Sequence, residues 1–350
     1  MELLPGITKE FDSNCTLYFI HRLSDELKEE IRKRLVRICH GEDQALSTSL
    51  IFSYKTIIKE FLTRYDGQNK QSKERKKGLI SELLVHVILE IEGTFTTASP
   101  FFNMEERSFK KGYDIALFNP NSEELWIAEV KSGELQAKQK SASSSAIALI
   151  NTAKNDLKQR LNDPITSLWY NAICGARVSM SNSNHQKDAV LKLLEKCGDN
   201  AASGNTSSSD FNVVLSATLF HPITADQTDF SKIKDKYLDI VNEHLFKNVL
   251  VIVIQKSTFN AVYEFVAIRE ETRKVDGAGL IRIDNNFYRL PSELINKGDV
   301  QILVDDSTVI VSRKGVFVAE LDKATSVYRP SLQKEQGTVS DSILRKDLID

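Results

Sequence analysis

The sequence predicts an α/β protein in which a mixed sheet is flanked by helices. Residues 112–118 and 125–131 are apolar runs on either side of a polar Asn-Pro-Asn-Ser connection, a pattern typical of a β-hairpin. The β-branched run at 249–254 is typical of a strand at the centre of a covered sheet. Because helical patterns separate the strand-like runs along the chain, we expect helices packed on the sheet.

The N-terminal part is predicted to contain a strand at 16–20 and a helix that Ser24 caps and that continues to Cys39. A second helix is expected at about 55–64. Residues 67–78 predict a flexible basic connection whose cations meet DNA phosphates just before the next helix. These cations are Lys70, Lys73, Arg75, Lys76 and Lys77. The alternative is an ordinary exposed charged loop.

Residues 79–91 predict a helix that is apolar over most of its circumference and is therefore buried. Its one polar strip carries Glu82, His86 and Glu90 at positions i, i+4 and i+8. We expect this strip to face either solvent through a narrow slot or the carboxylates of the hairpin. His86 is predicted to be a packed histidine rather than a ligand.

Charged side chains converge on one face of the predicted hairpin. With a loop of about six residues, Phe118 pairs with Leu125, which sets Asp114 directly opposite Glu129. Lys131 lies two residues beyond Glu129 and points to the same face. Placing two carboxylates and an ammonium on an apolar hairpin costs free energy, which indicates that the group has a function. The alternative is an edge hairpin whose charges face solvent.

Such a group of side chains suits a divalent metal ion. Mg²⁺ prefers carboxylate oxygens, waters and substrate phosphates as ligands, and Mn²⁺ is expected to substitute for it. A bound ion activates a water and offsets charge on the phosphate, and Lys131 orients that water or stabilises the developing charge. No Ser/His/Asp spacing competes, so the residues predict phosphodiester hydrolysis rather than acyl transfer.

The Glu-x-Lys spacing alone is a weak signal, because charged residues make up 27% of the chain. Comparable spacings occur at Glu26-Leu27-Lys28 and Asp156-Leu157-Lys158, both within helical patterns. Glu129 differs because it lies in a predicted strand, behind an apolar run and opposite an aspartate.

After the hairpin, the Ser-Gly pair at 132–133 is predicted to end the strand, and 135–161 to form a long helix. Lys138 and Lys140 are further candidates for DNA-phosphate contacts, and Gln136 is a candidate for a further site contact. A plain solvated helix is the alternative. The remaining expected elements are an edge strand within 93–111, helices at 168–172, 189–194 and 237–246, a mobile polar loop at 199–210, and a strand at 211–220.

A family resemblance rests on the hairpin residues. Asp114, followed by Glu129-Val130-Lys131 and preceded by a helical glutamate, resembles the PD-(D/E)xK superfamily of restriction-endonuclease-like nucleases. The wider pattern, including 77–84 and 110–114, resembles the HamA family, the nuclease subunits of the Hachiman antiphage system, over about residues 10–270. Asp114 follows Gly-Tyr rather than the proline of the superfamily's name, a replacement that is common among relatives.

The resemblance implies a restriction-endonuclease-like sheet and a catalytic set of Glu82, Asp114, Glu129 and Lys131. It implies that Glu82, Asp114 and Glu129 hold the metal, with Glu90 as the substitute for Glu82 if the helix register differs. It also implies DNA as the substrate and a HamB-like helicase or ATPase partner that restrains or delivers the nuclease.

The domain organisation is predicted from a change of pattern near residues 272–279. We expect 1–274 to be the nuclease domain with an N-terminal helical part, 275–330 a small β domain, and 331–350 a tail. Short strands separated by tight turns in the small domain predict an SH3-like barrel. These strands are expected at 281–284, 300–304, 308–312 and 316–321.

Composition limits the class of protein. The formal net charge is -2, so the chain has no global basic bias, although a nuclease need only be locally basic. The four cysteines lie far apart without Cys-x-x-Cys spacing, which predicts reduced cytosolic thiols and argues against a zinc site. We expect a cytoplasmic protein with no membrane partner, because no apolar run approaches about 18 residues and no signal peptide is evident.

Three functions compete at this level. The leading hypothesis is a metal-dependent DNA endonuclease of antiphage defence, restrained or delivered by a helicase. A stand-alone restriction or repair nuclease is the neighbouring hypothesis. A catalytically silent nuclease-fold subunit for DNA binding or assembly is the hypothesis from a different class.

Overall fold

The structure is a computed structural model that describes residues 1–66, 73–101, 113–135 and 141–259 and the strands that lie between residues 269 and 330. The chain divides into two compact units. The first comprises Met1–Phe52 and Glu60–Tyr263, and the second comprises Ser53–Lys59 and Glu264–Asp350. The first unit thus ends at Tyr263, whereas the sequence suggested a boundary at 274.

The first unit is built on an eight-stranded mixed sheet with the order β1-β2-β3-β8-β7-β6-β5-β4. The strands are β1 (Glu2–Leu4), β2 (Ile7–Asp12), β3 (Cys15–Ile20), β4 (Thr96–Thr97), β5 (Ile115–Asn119), β6 (Glu124–Glu134), β7 (Asn212–Phe220) and β8 (Asn248–Lys256). The four central strands β3, β8, β7 and β6 are parallel, and both edges are antiparallel. The α/β class and the central position of β8 are therefore confirmed.

Eight α-helices lie in the described part of the chain. They are α1 (Asp25–His40), α2 (Glu42–Ala45), α3 (Tyr54–Asp66), α4 (Lys73–Glu92), α5 (Ala142–Leu161), α6 (Thr166–Ser179), α7 (Lys187–Ala202) and α8 (Phe230–Asn242). The predicted cap of α1 is confirmed, because the amide of Leu27 donates to Ser24 Oγ at 3.2 Å.

Strand β6 separates two helical layers, because successive side chains of a strand point to opposite faces. Its odd-numbered residues face α5: a Cβ atom at Gly133 would lie 3.3 Å from Cδ2 of Leu149. Its even-numbered residues face α4: Ser81 of α4 donates to Thr218 Oγ1 at 2.6 Å, and Thr218 pairs with Ser132. Helices α4 and α5 therefore cover opposite faces of the sheet.

Several predicted boundaries around the hairpin are wrong. The loop is shorter than expected, because Asn119 already pairs with Glu124 and residues 120–123 make the turn. The Ser-Gly pair at 132–133 does not end β6, which stays paired with β7 up to Glu134. The glycine here permits close packing of α5 rather than a break in the strand.

The helices on either side of the hairpin also begin elsewhere than predicted. Helix α4 begins at Lys73 rather than at residue 79, so the last part of the predicted flexible connection is helical. Helix α5 begins at Ala142, where Ser141 accepts a hydrogen bond from the amide of Ser144 at 3.2 Å. A serine cap is a stronger start signal than the lysines that precede it.

Elements elsewhere differ from expectation mainly at their ends. Strands β1 and β2 were missed because their alternation is short and interrupted by charged residues. Helix α7 extends to Ala202 into the predicted polar loop, and a short 3₁₀ turn follows at Ser208–Asp210. Helix α8 starts at Phe230, earlier than the predicted 237.

The core on the α5 side of the sheet is centred on Trp169 of α6. Its ring stacks on Phe211 with centroids 5.2 Å apart and lies 4.9 Å from the ring of Tyr113, the residue before Asp114. Only 1% of Trp169 is exposed. This aromatic group fixes the chain segment that leads into β5.

Replacing Trp169 with alanine is expected to lower the free energy of unfolding by about 3–5 kcal/mol, because it removes a buried aromatic side chain and leaves a cavity. Urea denaturation followed by circular dichroism measures this change. The neighbouring Tyr170 is 65% exposed and provides the matched control. Tyr170→Ala should shift the free energy of unfolding by less than about 0.5 kcal/mol. Equal effects of the two substitutions would contradict the central position of Trp169.

The second unit contains antiparallel strands in its described part. Their bounds are β9 (Arg269–Arg273), β10 (Leu280–Ile283), β11 (Asn286–Arg289), β12 (Val300–Val304), β13 (Thr308–Arg313), β14 (Val316–Asp322) and β15 (Tyr328–Pro330). Strands β10 and β11 form a hairpin, and the others form a five-stranded sheet of order β15-β14-β13-β12-β9. The predicted strands are confirmed, while their closure into a barrel stays a prediction.

Two further observations concern the described helices and the cysteines. None of the helices in the described ranges is both long enough and apolar enough to cross a membrane. Cys15 and Cys39 are buried free thiols, and Cys174 and Cys197 are half-buried free thiols.

Candidate active site

The hairpin of β5 and β6 has the predicted register. Phe118 pairs with Leu125 and Ile115 with Ala128, so continuing the ladder by one residue brings Asp114 opposite Glu129. Asp114 lies just before β5, and its Oδ2 accepts a hydrogen bond from the amide of Val130 at 2.7 Å. The aspartate carboxylate is therefore fixed on the backbone of β6 next to Glu129.

Glu129 is completely buried and both of its carboxylate oxygens contact cations. Lys131 Nζ donates to Oε1 at 2.7 Å, and Arg160 Nη1 donates to Oε2 at 3.0 Å. The pKa of Glu129 is raised to about 7: burial is the main cause and the negative charge of Asp114 adds to it, whereas Arg160 and Lys131 oppose the rise. A carboxyl group that titrates near neutral pH in a charged cluster is typical of functional sites.

Lys131 links Glu129 to the helix that covers this face. Its Nζ lies 2.7 Å from Asp156 Oδ2 as well as 2.7 Å from Glu129 Oε1. Desolvation lowers the pKa of Lys131, but the charge of Glu129 and the hydrogen bond to Asp156 outweigh it, and the net pKa is raised. Lys131 therefore carries a positive charge at neutral pH.

Asp156 and Arg160 are site residues that the sequence analysis missed. Both lie on α5, one helical turn apart, and they contact Lys131 and Glu129 respectively. The spacing of Asp156 and Arg160 along the helix matches that of Glu129 and Lys131 along the strand, because four helical residues rise about 6 Å and two strand residues about 6.6 Å. Asp156 belongs to the Asp156-Leu157-Lys158 spacing, which the sequence pattern places within a helix. On α5 the acid precedes the base, just as Glu129 precedes Lys131 on β6, but the contacts are crossed, because Asp156 meets Lys131 and Arg160 meets Glu129. This complementary order of charges is the sequence signal that could have found the pair.

Glu82 is not brought into this group, contrary to expectation. Helix α4 packs on the opposite face of β6, and Glu82 is nearly buried there, with 8% exposed. In the described ranges, no three His, Cys, Asp or Glu side chains converge closely enough to hold a metal ion. The predicted triple of Glu82, Asp114 and Glu129 is therefore absent from this arrangement.

The rest of the predicted polar strip of α4 has structural contacts. Glu90 is paired with Arg37 at 2.5 Å and with Arg34 at 3.5 Å, and burial raises the pKa of Glu90. It therefore joins α4 to α1 and does not replace Glu82 in the site. His86 is fully buried and its ring lies edge-on to Phe101 with centroids 5.9 Å apart, as a packed histidine.

The predicted DNA-contacting lysines and arginine have different positions in the fold. Lys73, Arg75 and Lys76 lie in the first two turns of α4, where Lys73 Nζ pairs with Glu134 at 2.7 Å. Lys73 and Arg75 are exposed and Lys76 is half-buried. Lys138 and Lys140, like Gln136 and Lys70, lie outside the residues that the structure describes.

The donor set fits a magnesium ion held by two carboxylates. Mg²⁺ is commonly bound by one or two carboxylates, with waters and substrate phosphates completing its coordination. Asp114 and Glu129 supply such oxygens, and the pKa of Glu129 is raised first by burial and second by the negative charge of Asp114, which a bound cation would offset. Two carboxylates beside an ammonium group are the side chains that a hard cation and a phosphate would need.

Comparison with known protein families shows to which family the chain is related. The model of the HamA family matches residues 7–267, a range that includes every strand from β2 to β8. The chain belongs to the HamA family. HamA membership indicates a component of the Hachiman antiphage defence system, which operates with other components. No curated protein matches the chain.

Proposed function

We propose that this HamA chain is a Mg²⁺-dependent DNA endonuclease of Hachiman defence. The observation that carries the proposal is the convergence of Asp114, Glu129 and Lys131 on one face of the β5–β6 hairpin, with Glu129 fully buried. Burying a carboxylate of raised pKa between two cations is costly to stability. Such costs are typical of sites that serve chemistry.

Each residue has a separate role in the proposed reaction. Asp114 and Glu129 would hold the divalent ion, Mg²⁺ or its substitute Mn²⁺, through their carboxylate oxygens. The bound ion would supply an activated water and neutralise charge on the scissile phosphate. Lys131 would orient the attacking water or donate to the phosphate oxygen as negative charge develops there. Asp156 would keep the ammonium of Lys131 turned towards the site through its 2.7 Å contact.

The order of elements supports a restriction-endonuclease-like fold. Helix α4 precedes the antiparallel pair β5–β6, and α5 then crosses over to β7, which is parallel to β6. The proposed metal ligands lie where β5 begins, at the point where the antiparallel edge meets the parallel centre. We also infer that the sheet of the second unit closes into a small barrel-like domain that docks a partner or contacts DNA.

DNA binding is proposed for the exposed Lys73 and Arg75 and the half-buried Lys76 at the start of α4, and for Lys138 and Lys140. We expect Arg75→Glu/Lys76→Glu to weaken binding of a DNA duplex and to lower the salt slope by roughly one to two, one unit for each lost phosphate contact. Fluorescence anisotropy over a series of salt concentrations measures both. The matched control reverses Lys192 and Lys196, exposed lysines of α7. An equal loss of DNA affinity in the control would mean that the effect comes from the overall charge of the protein and not from these residues.

A helicase or ATPase partner of the HamB type is proposed because HamA proteins act in a system of several components. The partner would restrain the nuclease until it is needed, or deliver it to DNA. Comparing cleavage by the chain alone and with the co-expressed partner distinguishes this arrangement, in which the partner lowers or raises cleavage, from a stand-alone restriction or repair nuclease, whose cleavage the partner would leave unchanged.

The test of the proposed activity is incubation of the pure chain with supercoiled, linear and single-stranded DNA, with Mg²⁺ or with chelator. We expect nicking or linearisation of supercoiled DNA that requires Mg²⁺ and that Glu129→Gln abolishes. Cleavage that persists in chelator, or in the variant, would refute the proposed site.

A second candidate function is a catalytically silent subunit for DNA binding or assembly. The observation that favours it is that both oxygens of Glu129 already contact cations. Such a subunit would bind DNA without cleaving it in the presence of Mg²⁺, even together with its partner.

A further inference from the structure

We propose that Arg160 is a placeholder cation that holds Glu129 in the metal-free site and leaves its oxygen when a divalent ion binds. This inference rests on the proposed function, because it concerns the same metal site. It assigns to Arg160 a positioning role that acts through Glu129, and it makes metal loading an exchange of one cation for another.

The first argument is geometric. Arg160 Nη1 lies 3.0 Å from Glu129 Oε2, while Lys131 Nζ lies 2.7 Å from Oε1. Glu129 is fully buried, so its carboxylate cannot turn outward to meet a metal ion. The side chain of Arg160 is 34% exposed and its long stem can swing towards solvent. Of the two partners in this ion pair, Arg160 is therefore the one that can move.

The second argument is the charge of the group. Among the residues that the structure describes here, the three carboxylates of Asp114, Glu129 and Asp156 are balanced against the two cations Lys131 and Arg160. Adding a divalent ion while Arg160 stays in place would crowd three cations around Glu129. Moving Arg160 into solvent removes one of these two repulsions, since like charges a few Å apart repel strongly in a partly buried site.

The third argument is the location of Arg160 on its helix. It lies in the last turn of α5, which ends at Leu161. A cation in the last turn interacts favourably with the carbonyl end of the helix dipole. Arg160 therefore has a second favourable environment close by, which lowers the cost of leaving Glu129. Lys131, which lies within strand β6, remains bound to Asp156 at 2.7 Å.

The test is calorimetric titration of the full chain with Mn²⁺, without DNA. We expect Arg160→Gln to bind Mn²⁺ about tenfold more tightly than the unaltered chain, because a competing positive charge has been removed. Arg160→Lys should lie between the two, because a strongly hydrated ammonium leaves the carboxylate more readily than a guanidinium. Glu129→Gln should bind no Mn²⁺.

Arg177→Gln is the matched control. Arg177 lies on α6, pairs with Glu195 at 3.8 Å and is 56% exposed, so its removal changes the net charge equally without touching the site. Its Mn²⁺ affinity should equal that of the unaltered chain. If Arg160→Gln does not fold by circular dichroism, the comparison of Arg160→Lys with the unaltered chain decides the question.

The outcomes separate this inference from the proposed function. Unchanged or weaker Mn²⁺ binding by the Arg160 variants, with binding by the unaltered chain that Glu129→Gln abolishes, would overturn the placeholder role and leave the metal site intact. Absence of Mn²⁺ binding in the unaltered chain and in the Arg160 variants would overturn the metal site and the placeholder together. Binding only after Arg160 is replaced would overturn the exchange, because Arg160 would then block the site instead of leaving it.

Discussion

Glu129→Gln is expected to reduce Mg²⁺-dependent DNA cleavage by about a thousandfold or more, while the folded protein becomes more stable in metal-free buffer at pH 8. Cleavage falls because an amide is a poor ligand for a hard cation and the proposed site keeps a single carboxylate. Plasmid nicking and calorimetric titration with Mn²⁺ measure the two losses independently.

The gain in stability follows from the pKa of Glu129, which burial raises from 4.5 to about 7 in the folded protein. The folded state holds the proton more tightly than the unfolded state, so stability falls as pH rises from about 4.5 to about 7 and stays low above it. Glutamine has no proton to lose and avoids this decline. The expected gain is on the order of 1–3 kcal/mol above pH 7 and vanishes towards pH 4.5.

Thermal unfolding of both proteins at pH 5 and pH 8 with chelator tests this dependence. A variant that unfolds at a lower temperature than the unaltered chain at pH 8 would mean that the ion pairs with Lys131 and Arg160 outweigh the cost of burial. A loss of cleavage accompanied by a general loss of folding would remove Glu129→Gln as support for the site.

Lys131→Met is expected to lower cleavage by about a hundred- to a thousandfold and to leave Mn²⁺ binding in place. Methionine keeps much of the length of the side chain but removes the ammonium that would stabilise developing charge, an effect of this size in comparable sites. The carboxylates of Asp114 and Glu129 remain and hold the ion. Single-turnover cleavage, measured beside Mn²⁺ titration, separates the two effects.

Lys154→Met is the matched control for Lys131→Met. Lys154 also forms a carboxylate pair, with Glu243 at 2.7 Å, but this pair joins α5 to the end of α8 and does not include a site residue. Its replacement should leave cleavage unchanged. Equal losses in the two variants would indicate a general disturbance of α5, and unchanged cleavage in Lys131→Met would exclude a chemical role for that lysine.

The sequence was sufficient to predict the hairpin and its charged face. Two apolar runs around a polar turn fix the register, and the pairing of Phe118 with Leu125 carries Asp114 to Glu129 without further information. The end of β6 was mispredicted because Gly133 reads as a breaker, whereas the structure uses it to admit Leu149 of α5. Local composition does not reveal that a glycine serves close packing.

The position of Glu82 illustrates a different limit. Helical periodicity correctly predicted that residues 79–91 are buried, but it cannot tell which face of the sheet a helix covers. That depends on the crossover before the hairpin, and here it places α4 away from Glu129. Asp156 and Arg160 were missed for a similar reason, because their partners lie 25 and 31 residues earlier in the chain.

The hydrogen bond between Asp114 Oδ2 and the amide of Val130 gives this aspartate two tasks. It is a candidate metal ligand, and it also binds the segment that precedes β5 to the neighbouring strand β6. Its carboxylate is thereby held ready in the metal-free protein, so little rearrangement of this ligand is needed when an ion arrives. A substitution that removes the carboxylate at position 114 therefore removes this hydrogen bond between the two segments as well as the negative charge.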